Sequence, residues 1–143
     1  MHVRKSKRDN ITATLTGLSV TGDNVYQTRV YPIAADKLPG IAIYTRSEGI
    51  EYATLTTPRS LIKTMTVSVE AYVQGSDDDL DAIASEIETA LSNDLTRGGF
   101  AKDTRVIGFE TDFSGDPDQP VGTGIISVEV DYVTIEGSPE AAV

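Results

Sequence analysis

The chain has 143 residues, 39% of them hydrophobic, no cysteine and a formal charge of -10. That length suits one domain with one core, and the absence of cysteine excludes a disulfide framework and thiolate chemistry. The acidic balance argues against wrapping nucleic acid, because Lys and Arg contacts to phosphate supply most of that affinity.

The charge is unevenly spread. Residues 1–63 hold nine Lys and Arg against five Asp and Glu, and residues 64–143 hold three against 17. Such asymmetry serves either a solvated surface or the meeting of unlike faces on neighbouring copies.

The opening segment is basic, but threonines interrupt any apolar run, so no export signal is expected. No window reaches the roughly 18 apolar residues that cross a bilayer, and a soluble cytoplasmic protein is expected. Ile11, Leu15 and Leu18 share a helical face, with Arg4, Lys5, Lys7 and Arg8 ahead of them. Gly17, or the cluster Thr21-Gly-Asp-Asn24, should end that helix. A short strand is expected over 25–31, before Pro32, and another over 41–45.

Residues 46–60 are polar and contain Gly49 and Pro58, which predicts a long hairpin arm or a mobile loop. From Leu61 to Val73 the sequence alternates: Met65, Val67, Val69, Ala71 and Val73 face one way, Thr64, Thr66, Ser68 and Glu70 the other. This is the clearest strand in the chain.

The run Ser76-Asp-Asp-Asp-Leu-Asp81 poses a choice between a cation loop and a helix start. Asp77, Asp79, Asp81 and Glu88 occupy positions 1, 3, 5 and 12 of a calcium loop, but position 6 is Ala82 where such a loop needs glycine. Leu80, Ile83, Ala84, Ile87, Ala90 and Leu91 form one helical stripe. A helix from about residue 77 is therefore expected, with Ser76 as its cap, Asp79 in a capping box, and Asp77 and Asp78 beside the positive dipole end. Arg97-Gly-Gly99 should close it.

A strand over 105–113, a surface loop over Ser114–Gly124, a strand with Ile126, Val128, Val130 and Tyr132 inward, and a fraying tail over 137–143 complete the chain. The expected fold is α+β: a mostly antiparallel or mixed sheet of about five strands, with two helices on one face. Residues 1–136 would form the single domain.

No catalytic constellation stands out. The only histidine, His2, lies at a terminus expected to be disordered, which argues against a Ser-His-Asp arrangement or a histidine metal site. Gly122-Thr-Gly124 precedes a strand and lacks the rest of a dinucleotide fingerprint. Asp112, Asp116 and Asp118 more often serve turns than cations, and Asn10-Ile-Thr12 fits a glycosylation pattern only formally.

Thr21-Gly-Asp-Asn-Val-Tyr26, Arg29-Val-Tyr-Pro32, Leu38-Pro-Gly-Ile-Ala-Ile-Tyr-Thr45, Val69-Glu-Ala-Tyr-Val73, the acidic helix and Ile126-Ser-Val-Glu-Val-Asp-Tyr-Val133 follow one another in an order with a precedent. Over residues 3–135 this succession resembles the tail terminator proteins of long-tailed phages, the lambda-type minor tail protein U family. The resemblance implies a non-catalytic subunit without cofactor or metal, assembled as a hexameric ring on the finished tail tube. It implies three kinds of partner: other copies of itself, the tail tube protein, and a head-tail connector or head-completion protein. The genome would pass through the ring without sequence-specific binding, and no membrane is involved. The implied location is the head-proximal end of the virion tail, reached by assembly in the host cytoplasm.

Another neck protein, a head-completion or tail-completion factor, is the alternative, and a small cation-binding module a more distant one. The threonine-rich first helix and the extended Ser114–Gly124 loop depart from the family pattern. For the subunit or tube interface, Arg46, Glu48, Glu51 and Arg59 are expected on an arm. Asp77, Asp78 and Asp81 are expected on an acidic patch facing solvent or a basic neighbour.

Overall fold

The computed structural model describes residues 2–19, 21–27, 39–74, 77–99, 101–116 and 119–142. Among them, two helices and six strands follow in the order α1 (Val3–Leu15), β1 (Val25–Tyr26), β2 (Gly40–Tyr52), β3 (Ser60–Gln74), α2 (Asp77–Ser92), β4 (Asp103–Asp116), β5 (Gln119–Ile135) and β6 (Ser138–Ala142). The sheet runs β1-β2-β3-β5-β4, with β6 also paired to β5. Among the described residues only the β1–β2 pair is parallel. The α+β expectation holds, with six strands where about five were expected.

Both helices cover the same face of the sheet. Val3, Ile11 and Leu15 of α1 and Leu80, Ile83, Ile87 and Leu91 of α2 share one core with Ile41, Ile43, Met65, Val67, Val69, Val128, Val130 and Tyr132. The alternation of β3 and β5 delivers those residues to one face because successive side chains on a strand point oppositely. The i, i+3, i+4 spacing does the same for α2.

The stripe of α1 is Val3, Lys7, Ile11 and Leu15, so the basic residues lie within the helix and a lysine is drawn into the core. His2 is no free terminus: its Nδ1 accepts from the Arg4 amide at 3.1 Å and caps the helix. Thr12 and Thr16 donate to the Arg8 and Thr12 carbonyls, the local bonding expected of threonines near a helix end. Thr16 leaves the helical region and Gly17 follows at φ 91°, ending the helix before Leu18.

Several boundaries differ from expectation. Residues 46–60 form a hairpin arm: β2 runs to Tyr52 and β3 starts at Ser60, because pairing continues from Ile50↔Lys63 to Tyr52↔Leu61. The turn-rich stretch 114–124 lies mostly in strands, paired from Ser114↔Val121 to Asp116↔Gln119, since a hairpin needs turn residues only at its tip. Helix α2 stops at Ser92, before Arg97-Gly-Gly99, and Arg97 takes φ 50° in the turn that follows. The tail expected to fray turns at Gly137, φ 87°, and returns as β6 along β5, with Ala142 against the core. The strand expected over 25–31 is seen as Val25–Tyr26; residues 28–31 and the cap Ser76 lie outside the described residues.

Candidate assembly surfaces

Of the residues singled out from the sequence, Glu51 and Arg59 fall at one end of β3, a strand spanning about 45 Å, and Asp77, Asp78 and Asp81 lie beyond the other. Arg46 and Glu48 sit level with its middle, beside Val67 and Met65. At one end is the β2–β3 arm. Arg46 is exposed where a bulge interrupts pairing between Thr45 and Ser47, and Glu51 is exposed opposite Ile62. Arg59 stacks 4.3 Å over the Tyr52 ring and pairs with Glu136, whose carboxylate keeps the guanidinium charged. The arm also exposes apolar side chains: Leu55 is 92% accessible, Tyr52 54% and Ile50 50%. Gly49 opens a depression of about 400 Å³ on the helix-free side, lined by Ile50, Glu51, Ile62, Thr64 and Glu129.

Glu48 does not belong with them. It points to the helix side, its side chain is 6% exposed, and it accepts from Arg4 Nη1 at 2.6 Å and from the Tyr132 hydroxyl. The pairing register explains this, because Glu48 lies opposite the buried Met65. Lys7 completes the group, with Nζ 3.7 Å from the Tyr132 ring centroid and no hydrogen-bond partner among the described residues. Burial pulls the Lys7 ammonium down to about 8 and pushes the Tyr132 phenol well above its ordinary range. Four polar side chains therefore fasten α1 to β2 and β5 beneath the arm.

At the opposite end, Asp78, Asp79 and Asp81 are exposed on the first turns of α2. Asp77 is the first residue of that helix. Helical backbone from Asp77 onwards rules out the irregular wrapping of a calcium loop. Among the described residues no three His, Asp or Glu side chains converge on a cation position. The arm and the acidic turn are thus kept apart by the length of the sheet rather than gathered into one site.

No family model matches the chain. No curated protein matches it either. Among solved structures it is similar to a chain in the virion of a native gene transfer agent (GTA) particle, at 15% identity over 95% of this chain and 92% of that one, with a TM-score of 0.39. At that level the likeness carries no weight for function.

A third surface escaped the sequence reading. Strand β4 forms one border of the sheet and exposes Val106, Ile107, Phe109 and Phe113. The two phenylalanines lie over Gly124 and Gly122: a Cβ on Gly122 would come within 2.8 Å of Phe113, and one on Gly124 within 3.0 Å of Phe109. The Gly122-Thr-Gly124 motif therefore makes room for two rings and Leu80, not for a nucleotide. The available signal was the offset between these glycines and the Phe109, Phe113 pair across a hairpin.

Arg105, also on β4, is bound by Asp131 Oδ2 at 2.5 Å and Asp103 Oδ2 at 2.9 Å, which raises its pKa and holds the Asp131 carboxyl low. Glu110 and Asp112 are exposed and carry no ion pair among the described residues.

Proposed function

We propose that this protein is a structural subunit of a phage-type tail, acting as a terminator. Copies form a hexameric ring on the finished tube, end its polymerisation and present the surface to which the head is joined. The role needs no catalytic group, metal or cofactor. The protein acts at the head-proximal end of the virion tail after assembly in the host cytoplasm, and the genome passes through the ring without sequence-specific contact.

The observation that carries this reading is the separation of two unlike surfaces by the length of β3: an arm exposing Ile50, Tyr52 and Leu55 and bearing Arg59, and an acidic turn bearing Asp78, Asp79 and Asp81. A subunit that must contact a tube on one side and a head on the other needs two different ends. A head-to-tail ring also needs non-identical patches on each copy. The succession of sequence segments that resembles tail terminators supports the same reading. Acidic residues on the lumen would let DNA slide, since like charge repels phosphate.

Mixing the purified protein with tail tubes and, separately, with tailless heads tests it. Binding at one end of the tubes with arrest of their growth is expected. Binding to tailless heads alone would instead assign it to head completion.

A further inference from the structure

Strand β4 borders the sheet, and no strand pairs beyond it among the described residues. Its register with β5 breaks once, at Ile107, and then runs without a shift from Gly108↔Ser127 to Asp116↔Gln119. Border strands are ordinarily blunted by lysine, by proline or by a covering element. Asp103–Asp116 contains neither residue, and Arg105 to Phe113 are exposed without interruption. The backbone groups that β4 turns away from β5 are therefore open to a further strand.

The side chains define what that strand would carry, because successive residues point to opposite faces. Phe109 and Phe113 lie on the helix side, over Gly124 and Gly122, with Thr111 between them. Glu110 and Asp112 alternate with them on the helix-free side, exposed and without an ion pair among the described residues.

Charge along this border has one sign. No lysine or arginine occurs over 106–113, and Arg105 is held by Asp103 and Asp131. Leu80, in the first turn of α2, lies over the same two glycines as the rings, which brings the exposed Asp78, Asp79 and Asp81 to the same end of the sheet. Such a field favours a basic occupant.

The open edges of a second copy do not supply one. The stretch Arg46–Tyr52 of β2 adds Glu48 and Glu51 to its one arginine. In a copy turned about the strand axis it is level with Asp103–Arg105 rather than with Phe109–Phe113. A second β4 would bring its own Glu110 and Asp112.

We infer that the outer edge of β4 over Gly108–Phe113 takes up, as an added strand, an extended segment of another protein in which apolar side chains alternate with Lys or Arg. The apolar set covers Phe109 and Phe113, and the basic set meets Glu110 and Asp112. This goes beyond the ring reading and does not depend on it.

The probe is a fluorescein-labelled, amidated peptide Lys-Val-Lys-Val-Lys-Val-Lys, titrated with the full chain and followed by anisotropy. Saturable binding is expected, about tenfold weaker for the Glu110→Gln/Asp112→Asn variant, whose exposed substitutions leave the fold intact. N-methylation of alternate peptide amides keeps the charge and should abolish binding, because an added strand bonds through its backbone. Hydrogen exchange over 108–113 should slow about tenfold or more in the complex.

Equal binding of the N-methylated peptide, or equal binding by the variant, would overturn the proposal. So would the absence of saturable binding below about 1 mM. Exchange over 108–113 that slows with protein concentration alone would give the edge to a second copy and overturn it likewise.

Discussion

Lys7 Nζ sits 3.7 Å from the centroid of the Tyr132 ring, and neither side chain is more than 1% exposed. The phenol donates to Glu48, which Arg4 neutralises, so the ring faces an ammonium while its hydroxyl serves a carboxylate. The arrangement joins α1 to β2 and β5, the two strands that flank β3, and sets how the arm is supported.

Stability should depend on alkaline pH in a characteristic way. The Lys7 ammonium falls to about 8 in the fold from an ordinary 10.5, so between those values the unfolded chain holds more proton and stability rises with pH. The Tyr132 phenol is raised above its ordinary 10.0, so its contribution is lost as pH climbs beyond that value. Chemical denaturation from pH 7 to 11 should show stability rising above pH 8 and falling again above about 10. Lys7→Met should abolish the rise and add on the order of 1–2 kcal/mol at pH 7.

Arg97 anchors the end of α2 from inside. It is fully buried and donates to the Leu91 carbonyl at 2.5 Å, to the Asp94 carbonyl and to Asn10 of α1 at 3.3 Å. Arg97→Ala strands those acceptors and should cost about 3 kcal/mol, read as a lower urea midpoint with an unchanged slope.

Gly122 and the Phe113 ring should behave as a coupled pair. Gly122→Ala places a methyl group in contact with the ring and should cost about 1 kcal/mol. In the Phe113→Ala background the same change should be nearly neutral, and a double-mutant cycle measures the difference.

The arm should matter for assembly and not for folding. Leu55 is 92% exposed, so Leu55→Asp should change stability by less than about 0.5 kcal/mol. Tube-end binding should nonetheless be lost, as co-sedimentation with tail tubes would report.

Much of this architecture could be read from residue spacing. Met65, Val67, Val69, Ala71 and Val73 and then Ile126, Val128, Val130 and Tyr132 recur at every second position, and Leu80 to Leu91 keep a helical stripe. Facing the helix-covered core imposes those periods, even though Ser68 and Tyr72 on the other face of β3 are buried too. Strand ends were less legible. Residues 114–124 are rich in glycine and proline yet lie mostly in strands, since backbone pairing with a neighbour decides the matter and local preference does not.

Among the residues expected at an interface, Arg46, Glu51, Asp78 and Asp81 are exposed, whereas the Glu48 side chain is turned to the helix side. A single bulge after Thr45 sets its register, and a bulge leaves no mark in composition. Lys7 was hidden for a similar reason: a lysine on an apolar stripe reads as solvated until a ring is found above it.

Assembly through exposed charges should weaken with salt, because the Debye length falls from about 10 Å at 0.1 M to about 3 Å at 1 M. Negative-stain imaging of the concentrated protein at low salt tests the ring most directly. Six-fold rings that dissolve as salt is raised are predicted. A tight dimer that persists at every salt concentration would contradict the account.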